Sequence, residues 1–439
     1  MPGRPADKRT RSGAADDGPG TAYPKPAPMA ALMAKASMVL VTGSGGVGKT
    51  TTSAALGTQV ARTSARRVLV VTVDPARRLA TALGVDGELG DGPRIVPADA
   101  LAELSGTAGA GTAGSARSAP GPGAARMPLG ELSIAMLDTK RGWDDLIRRH
   151  APDSRTRDAI LVNPLYDGIT SRFVQSHDYL AMERLFELHE SRRYDLVVVD
   201  TPPSRSALDI LDAPEHMADF FGGRLLRWLT VPYRSRLFTA ASKPFYQVAD
   251  RVLGSRFLED IAQFFMLFQS MEKGFVSRAR LVGDVLTNPA TSFVVVSTLE
   301  PSPAREAEFL MAELTRRGLP LGALVLNKVL PSWLRDPAGA VAASAIASRR
   351  GRLAEDLHDA VSGLARTNPE AIARVLAEVA ASHGRLRIAA EREADEFARL
   401  AAAPAVTVAL PHLSGDVTDL AALARLGDKL WAPPPDQAD

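Results

Sequence analysis

The sequence predicts an α/β fold: one doubly wound, mostly parallel sheet carrying a helical insertion subdomain. Three observations lead there. Seven short runs rich in β-branched residues recur at 38–42, 67–73, 132–137, 196–199, 292–297, 323–326 and 406–410. Each is continuously apolar and closed by a small or acidic residue, as suits a strand buried on both faces. Segments of helical period separate them, which is the pattern of a parallel sheet covered on both sides. The runs extend from residue 38 to residue 410 without internal duplication, so one domain with long insertions is expected rather than a series of domains.

Taken in order, residues 1–35 read as a disordered tail, because the first 28 are Pro, Gly, Ala and charge with almost no large apolar side chain. The sheet domain is expected over 36–214 and 288–430, interrupted by three insertions. Residues 104–127 are Gly, Ala, Ser and Pro of low complexity and predict a flexible loop. Residues 215–287 hold half of the chain's aromatics, in helix-like spacing, and predict a helical subdomain. Residues 340–400 are rich in Ala, Arg and Glu, with Asn368 as an N-cap and Pro369 at the first position of a second long helix. Residues 431–439 read as a second tail.

Composition narrows the chemistry. The chain has 439 residues with 52 basic against 50 acidic side chains, and no run of five like charges, so nucleic-acid binding is not expected. It has no cysteine, which excludes disulfides, thiolate metal sites and cysteine nucleophiles. Neither a secretory leader nor an apolar stretch of membrane-spanning length is visible, and a cytoplasmic location is expected. The seven histidines show no pair with metal-ligand spacing on one helix face.

The strongest motif is Gly43-Ser44-Gly45-Gly46-Val47-Gly48-Lys49-Thr50, followed by Thr51. It satisfies G-x-x-x-x-G-K-[ST], with a predicted strand entering and a predicted helix leaving. Glycines allow successive backbone N–H groups to surround phosphate oxygens, Lys49 brings a point charge to the β and γ phosphates, and the Thr50 hydroxyl can hold Mg²⁺. The chain thereby reads as a P-loop NTPase.

The run VTGSGGVGKTTT resembles the deviant phosphate loop of the arsenite-pump (ArsA) and tail-anchored-protein-targeting (GET) ATPase family, in a divergent, cysteine-free bacterial form. Three further segments match in order: Val71-Thr72-Val73-Asp74-Pro75-Ala76, similar to a first switch; Tyr194 to Pro203, similar to a second; and Ala323 to Val329 with Leu410-Pro411, similar to the strand ends around adenine. The resemblance implies a Mg²⁺-dependent ATPase in which ATP binding and hydrolysis open and close a dimer, homomeric or with a related subunit. One departure stands out, because the family's second lysine, which reaches the other subunit's phosphates, falls at Ser44. Either a related subunit supplies that cation, or this chain binds ATP and turns it over slowly, as a regulatory or scaffold subunit would.

By the same resemblance Asp74 orients the attacking water, a task suited to a carboxylate that accepts a hydrogen bond. A cap of the following helix is the other reading of this residue. Asp200, closing an apolar strand, is expected to hold Mg²⁺ through a water. Asn327 and Pro411 are expected to flank the adenine, an amide favouring ATP over GTP because it can both donate and accept. Where the family continues with TGH after the second switch, this chain has Ser204-Arg205-Ser206, which makes Arg205 a candidate phosphate contact.

In the helical insertion Phe257, Ile261, Phe264, Phe268 and Met271 recur at helical spacing. The stripe reads either as core or subunit interface, or as a groove for hydrophobic cargo. An upstream patch of Arg224, Arg227, Arg234 and Arg236 among Trp228 and Tyr233 is a candidate contact for a membrane-associated partner.

Overall fold

The structure, a computed structural model, describes residues 28–72, 92–105, 129–137, 139–164, 166, 174–202, 212, 263–264, 266–267, 270–401, 404–413 and 415–432. Asp74, Arg205, Phe257, Ile261, Phe268, the arginine patch at 224–236 and nearly all of the low-complexity stretch lie outside these residues.

The sheet has eight strands: β1 (Met38–Thr42), β2 (Arg67–Thr72), β3 (Arg94–Ile95), β4 (Glu131–Met136), β5 (Leu196–Asp200), β6 (Thr291–Ser297), β7 (Leu321–Val329) and β8 (Thr407–Pro411). Their order is β3-β4-β2-β5-β1-β6-β7-β8, all parallel except the two-residue edge strand β3. The α/β doubly wound expectation is met, with β3 as the one strand not anticipated. It is too short to leave a periodic signal.

Among the described residues the helices are α1 (Pro28–Lys35), α2 (Lys49–Thr63), α3 (Ala98–Ser105), α4 (Thr139–His150), α5 (Ser154–Leu161), α6 (Val174–Glu190), α7 (Glu272–Thr287), α8 (Pro301–Arg316), α9 (Pro337–Ala360), α10 (Pro369–Leu400) and α11 (Leu420–Leu430). Residues 28–35, expected as the end of a tail over 1–35, are therefore helical, and residues 1–27 lie outside the described residues. Met29 and Met33 are 1% exposed, and burying two such side chains stabilises a helix that composition alone did not suggest. Arg66 completes it by donating to the Met33 carbonyl at 2.7 Å and the Ala36 carbonyl at 2.5 Å, which satisfies helix-end acceptors.

Alternation along β1 shows how both faces are covered. Val39 and Val41 pack with α1, α2 and α11, through Met33, Leu56, Val60, Leu423 and Leu426. Met38 and Leu40 face the other layer with Leu185, Val282, Leu310 and Leu314 from α6, α7 and α8. A third, smaller core joins Trp143, Leu146 and Ile147 of α4 to Ile160, Leu180, Phe264 and Met271. Phe264 and Met271 are 1% and 2% exposed. Of the two readings of the stripe, these two residues follow the core one: they are packing residues, held by the large side chains of α4.

No helix among the described residues is long and apolar enough to cross a membrane. Helix α2 is covered along nearly its whole length, and a Cβ on Gly57 would stand 2.3 Å from Cγ2 of Val70 in β2. Valine is stiff at χ1 and this one is fully buried, so it has nowhere to retreat. Gly57→Val should destabilise the fold by about 3 kcal/mol, read as a lower midpoint in urea at unchanged slope.

Candidate functional site

In an open parallel sheet, ligands bind beyond the carboxyl ends of the strands, at the point where successive connections leave in opposite directions. Here β1 lies between β5 and β6, and its carboxyl end opens directly into the glycine-rich turn. A Cβ on Gly43 would fall 2.0 Å from the Val296 carbonyl oxygen of β6, so only glycine lets the loop lie against that strand. Gly48, at φ 99°, starts α2 without any side-chain cap, which leaves the helix amino terminus facing the loop.

Within the loop Ser44 is 8% exposed, Val47 is buried, and Gly45 and Gly46 are exposed. Nζ of Lys49 donates to the Ser44 carbonyl at 2.8 Å. A lysine held by a loop carbonyl keeps a hydrogen-bonded partner while remaining within its own loop's reach of a bound phosphate. The Thr50 hydroxyl donates to Oδ2 of Asp200 at 2.7 Å, and Thr72, at the end of β2, donates to the same oxygen at 3.2 Å. Because Thr50 gives its proton to Asp200, its lone pairs are turned away from the carboxylate. A hydroxyl oxygen beside a carboxylate 1% exposed is a donor set suited to a hard cation that keeps part of its water shell, and it fits Mg²⁺. Thr51 follows on the first turn of α2, half-buried.

Asn327 lies near the carboxyl end of β7. Its Nδ2 donates to the Val47 carbonyl of the loop at 2.8 Å, and its Oδ1 accepts from the Lys328 N–H at 2.9 Å. Lys328 has φ 59°, a left-handed conformation unusual outside glycine. Together these contacts clamp the glycine-rich loop to β7. Pro411 ends β8 opposite Val329, and the next N–H, of His412, donates to the Val329 carbonyl at 3.0 Å. The structure thus brings the 43–51 loop, Asp200, Asn327 and Pro411 to one edge of the sheet.

Comparison with known proteins agrees with this geometry. The sequence model of the anion-transporting ATPase family matches residues 36–104 and 154–350, more than half of the chain. The chain belongs to the anion-transporting ATPase family. Among curated relatives, an ATPase ASNA1 homolog of Entamoeba dispar is 24% identical over 297 residues, covering 67% of this chain and 76% of that protein. An ATPase GET3 of Lachancea thermotolerans is 24% identical over 66% of this chain and 72% of its own length. A putative arsenical pump-driving ATPase 1 of Aquifex aeolicus is 23% identical over 67% of this chain and 63% of its own.

Two features of this family member were missed in the sequence. Thr72 falls within the run similar to a first switch, where only Asp74 is given a role, although a hydroxyl closing the strand two residues before that aspartate is a usable signal. The second is a grouping of His150 on α4 with Glu183 and Glu187 on α6, whose potential ligand atoms lie within 4.8 Å of one another. Arginines already engage it: Arg278 meets Glu183 at 2.8 Å and His150 at 3.0 Å, while Arg149 and Arg184 pair with Glu187. A cation there would have to displace three guanidinium groups, so the cluster reads as a tie between α4, α6 and α7 rather than a metal site.

Asp200→Asn keeps the shape of the side chain and removes its charge. It should lower the Mg²⁺-dependent part of nucleotide affinity by about 10- to 100-fold, checked by titrating Mg²⁺ at fixed ADP. Binding of ADP in EDTA should change little.

Proposed function

We propose that this chain is a Mg²⁺-dependent ATPase of the cytoplasm, working as a dimer with a related subunit and coupling ATP binding and hydrolysis to engagement of a partner or cargo. The observation that carries this reading is the convergence of Lys49, Thr50 and Asp200 on the glycine turn at the sheet's carboxyl edge. When bound, Mg²⁺ supplies positive charge against the β and γ phosphates.

The chain's own residues do the rest. Lys49 exchanges the Ser44 carbonyl for a phosphate oxygen, and the amides at the start of α2 point to the phosphates. Thr50 and Asp200 hold the cation's side of the site. Asp74 accepts a hydrogen bond from the attacking water and orients it, and Asn327 offers its remaining donor and acceptor to adenine beside Pro411. Contacts to the γ-phosphate that exist only before hydrolysis are what would favour the closed dimer. Cargo at the 215–287 segment would use side chains other than Phe264 and Met271, since those two are buried.

A second reading follows from Ser44, a neutral and nearly buried residue where the resembled family carries its second lysine. It makes the chain an ATP-binding regulatory subunit with little turnover of its own. Steady-state and single-turnover hydrolysis, for the chain alone and with a lysine-bearing homologue, separates the two. A cation delivered across a subunit interface is worth orders of magnitude in related phosphoryl transfers, so Ser44→Lys should raise the solitary rate at least about tenfold. Background turnover even with the homologue present, and unaltered by Asp74→Asn, would leave only the regulatory reading.

A further inference from the structure

Seven of the twelve large apolar side chains exposed among the described residues lie between 333 and 388: Trp333, Val341, Val361, Val375, Val379, Leu386 and Ile388. That stretch is the insertion between β7 and β8. Helix α9 packs chiefly on α10, and α10 meets the body at its carboxyl end, through α8 and the 3-10 turn Ser332–Arg335. The anchors there are Leu400, which is 1% exposed, the Glu393 carboxylate accepting from the Leu330 N–H at 2.8 Å, and the Arg399–Glu308 pair. Beyond them the hairpin buries only Ala354, Ile372, Ala380 and Ala390. It is an arm about 35 to 48 Å long, taking 1.5 Å per residue, with a thin seam of three alanines and one isoleucine inside and larger apolar side chains outside.

On α10, Val375, Val379 and Leu386 recur at intervals of four and seven, which places them on one strip along the edge of the α9–α10 seam. They are 62%, 52% and 44% exposed. Glu378 and Arg385 flank the strip and pair with each other at 2.6 Å, both about two-thirds exposed.

We propose that this strip is a self-association surface, on which the arm of a second copy of this chain packs antiparallel to complete a four-helix bundle. Charge argues for this occupant. Residues 337–400 carry nine arginines and nine acidic side chains with no lysine, a balance that selects neither a polyanion nor an anionic membrane surface. The pattern is also self-complementary. A two-fold axis beside Ala381 sets Val375 of one copy against Leu386 of the second, and Glu378 against Arg385. The pair made within each arm then becomes two pairs between arms, as an isologous interface requires. This contact is independent of the phosphate-loop edge and needs no nucleotide.

The test uses the full chain without nucleotide, with mass read by light scattering and sedimentation. Wild type should be a dimer, twice 46.6 kDa. V379E/L386E should be a monomer with unchanged helical circular dichroism and unchanged ADP affinity. E378R and R385E each place like charges across the two-fold and within the arm, so each alone should weaken the dimer at least tenfold. Mixing the two single variants makes both cross-arm contacts complementary while leaving each arm's internal pair repulsive, so heterodimers should form. Failure of that mixture to associate overturns the proposal, even if V379E/L386E proves unfolded. So does a wild-type chain that is monomeric without nucleotide, or whose strip variants lose vesicle or hydrophobic-peptide binding instead of dimer mass. A dimer that appears only with ATP would also overturn it, while leaving the ATPase reading intact.

Discussion

The contact on which the site depends is the approach of Gly43 to the backbone of β6. With a would-be Cβ 2.0 Å from the Val296 carbonyl, the chain leaves β1 pressed against its neighbour. The following residues curl over the sheet edge before α2 can begin. Lys49, Thr50 and the amino end of α2 are set by that entry, and Asn327 fastens the loop from the β7 side at 2.8 Å. The loop is thus gripped by two strands, β6 and β7, on the side of β1 away from Asp200. Asp200 comes from β5 on the other side, so the Thr50–Asp200 contact spans the switch point of the sheet.

Much of this was legible because the physics is local. A continuous apolar run predicts a strand buried on both faces whatever surrounds it, and the glycine turn with its lysine and threonine encodes its own geometry. What failed to show depends on distant partners. Met29 and Met33 sit in a stretch of small and polar residues, and only their contact with the sheet makes α1 a helix rather than a tail. Phe264 and Met271 belong to a stripe that reads equally as core or groove, and only their packing with Trp143 and Ile147 of α4 makes these two core. His150 and Glu183 come from different helices, so no spacing rule could join them.

Asn327 shows an intermediate case. Its position at a strand end was expected, yet its amide is spent first on the phosphate loop, and any role at the base uses what remains. The clamp also links the site to the inserted arm. From Val47 to Asn327, through the left-handed Lys328, to Leu330 and Glu393 of α10, hydrogen bonds of 2.8 to 2.9 Å join the phosphate loop to the arm's base. The family's sheet and loop are therefore combined in this chain with a helical extension whose root shares a strand with the nucleotide site.

The proposed nucleotide site is the turn between β1 and α2, with Lys49 at its centre. Equilibrium titration of Mg²⁺·ADP and Mg²⁺·ATPγS into the nucleotide-free chain, with Lys49→Ala as the paired sample, tests it most directly. The wild type should bind both ligands saturably and one to one, and the variant should lose at least about tenfold, the energy of one charge-assisted contact, with thermal unfolding unchanged. Absence of binding to the wild type, or equal binding by both proteins, would contradict it.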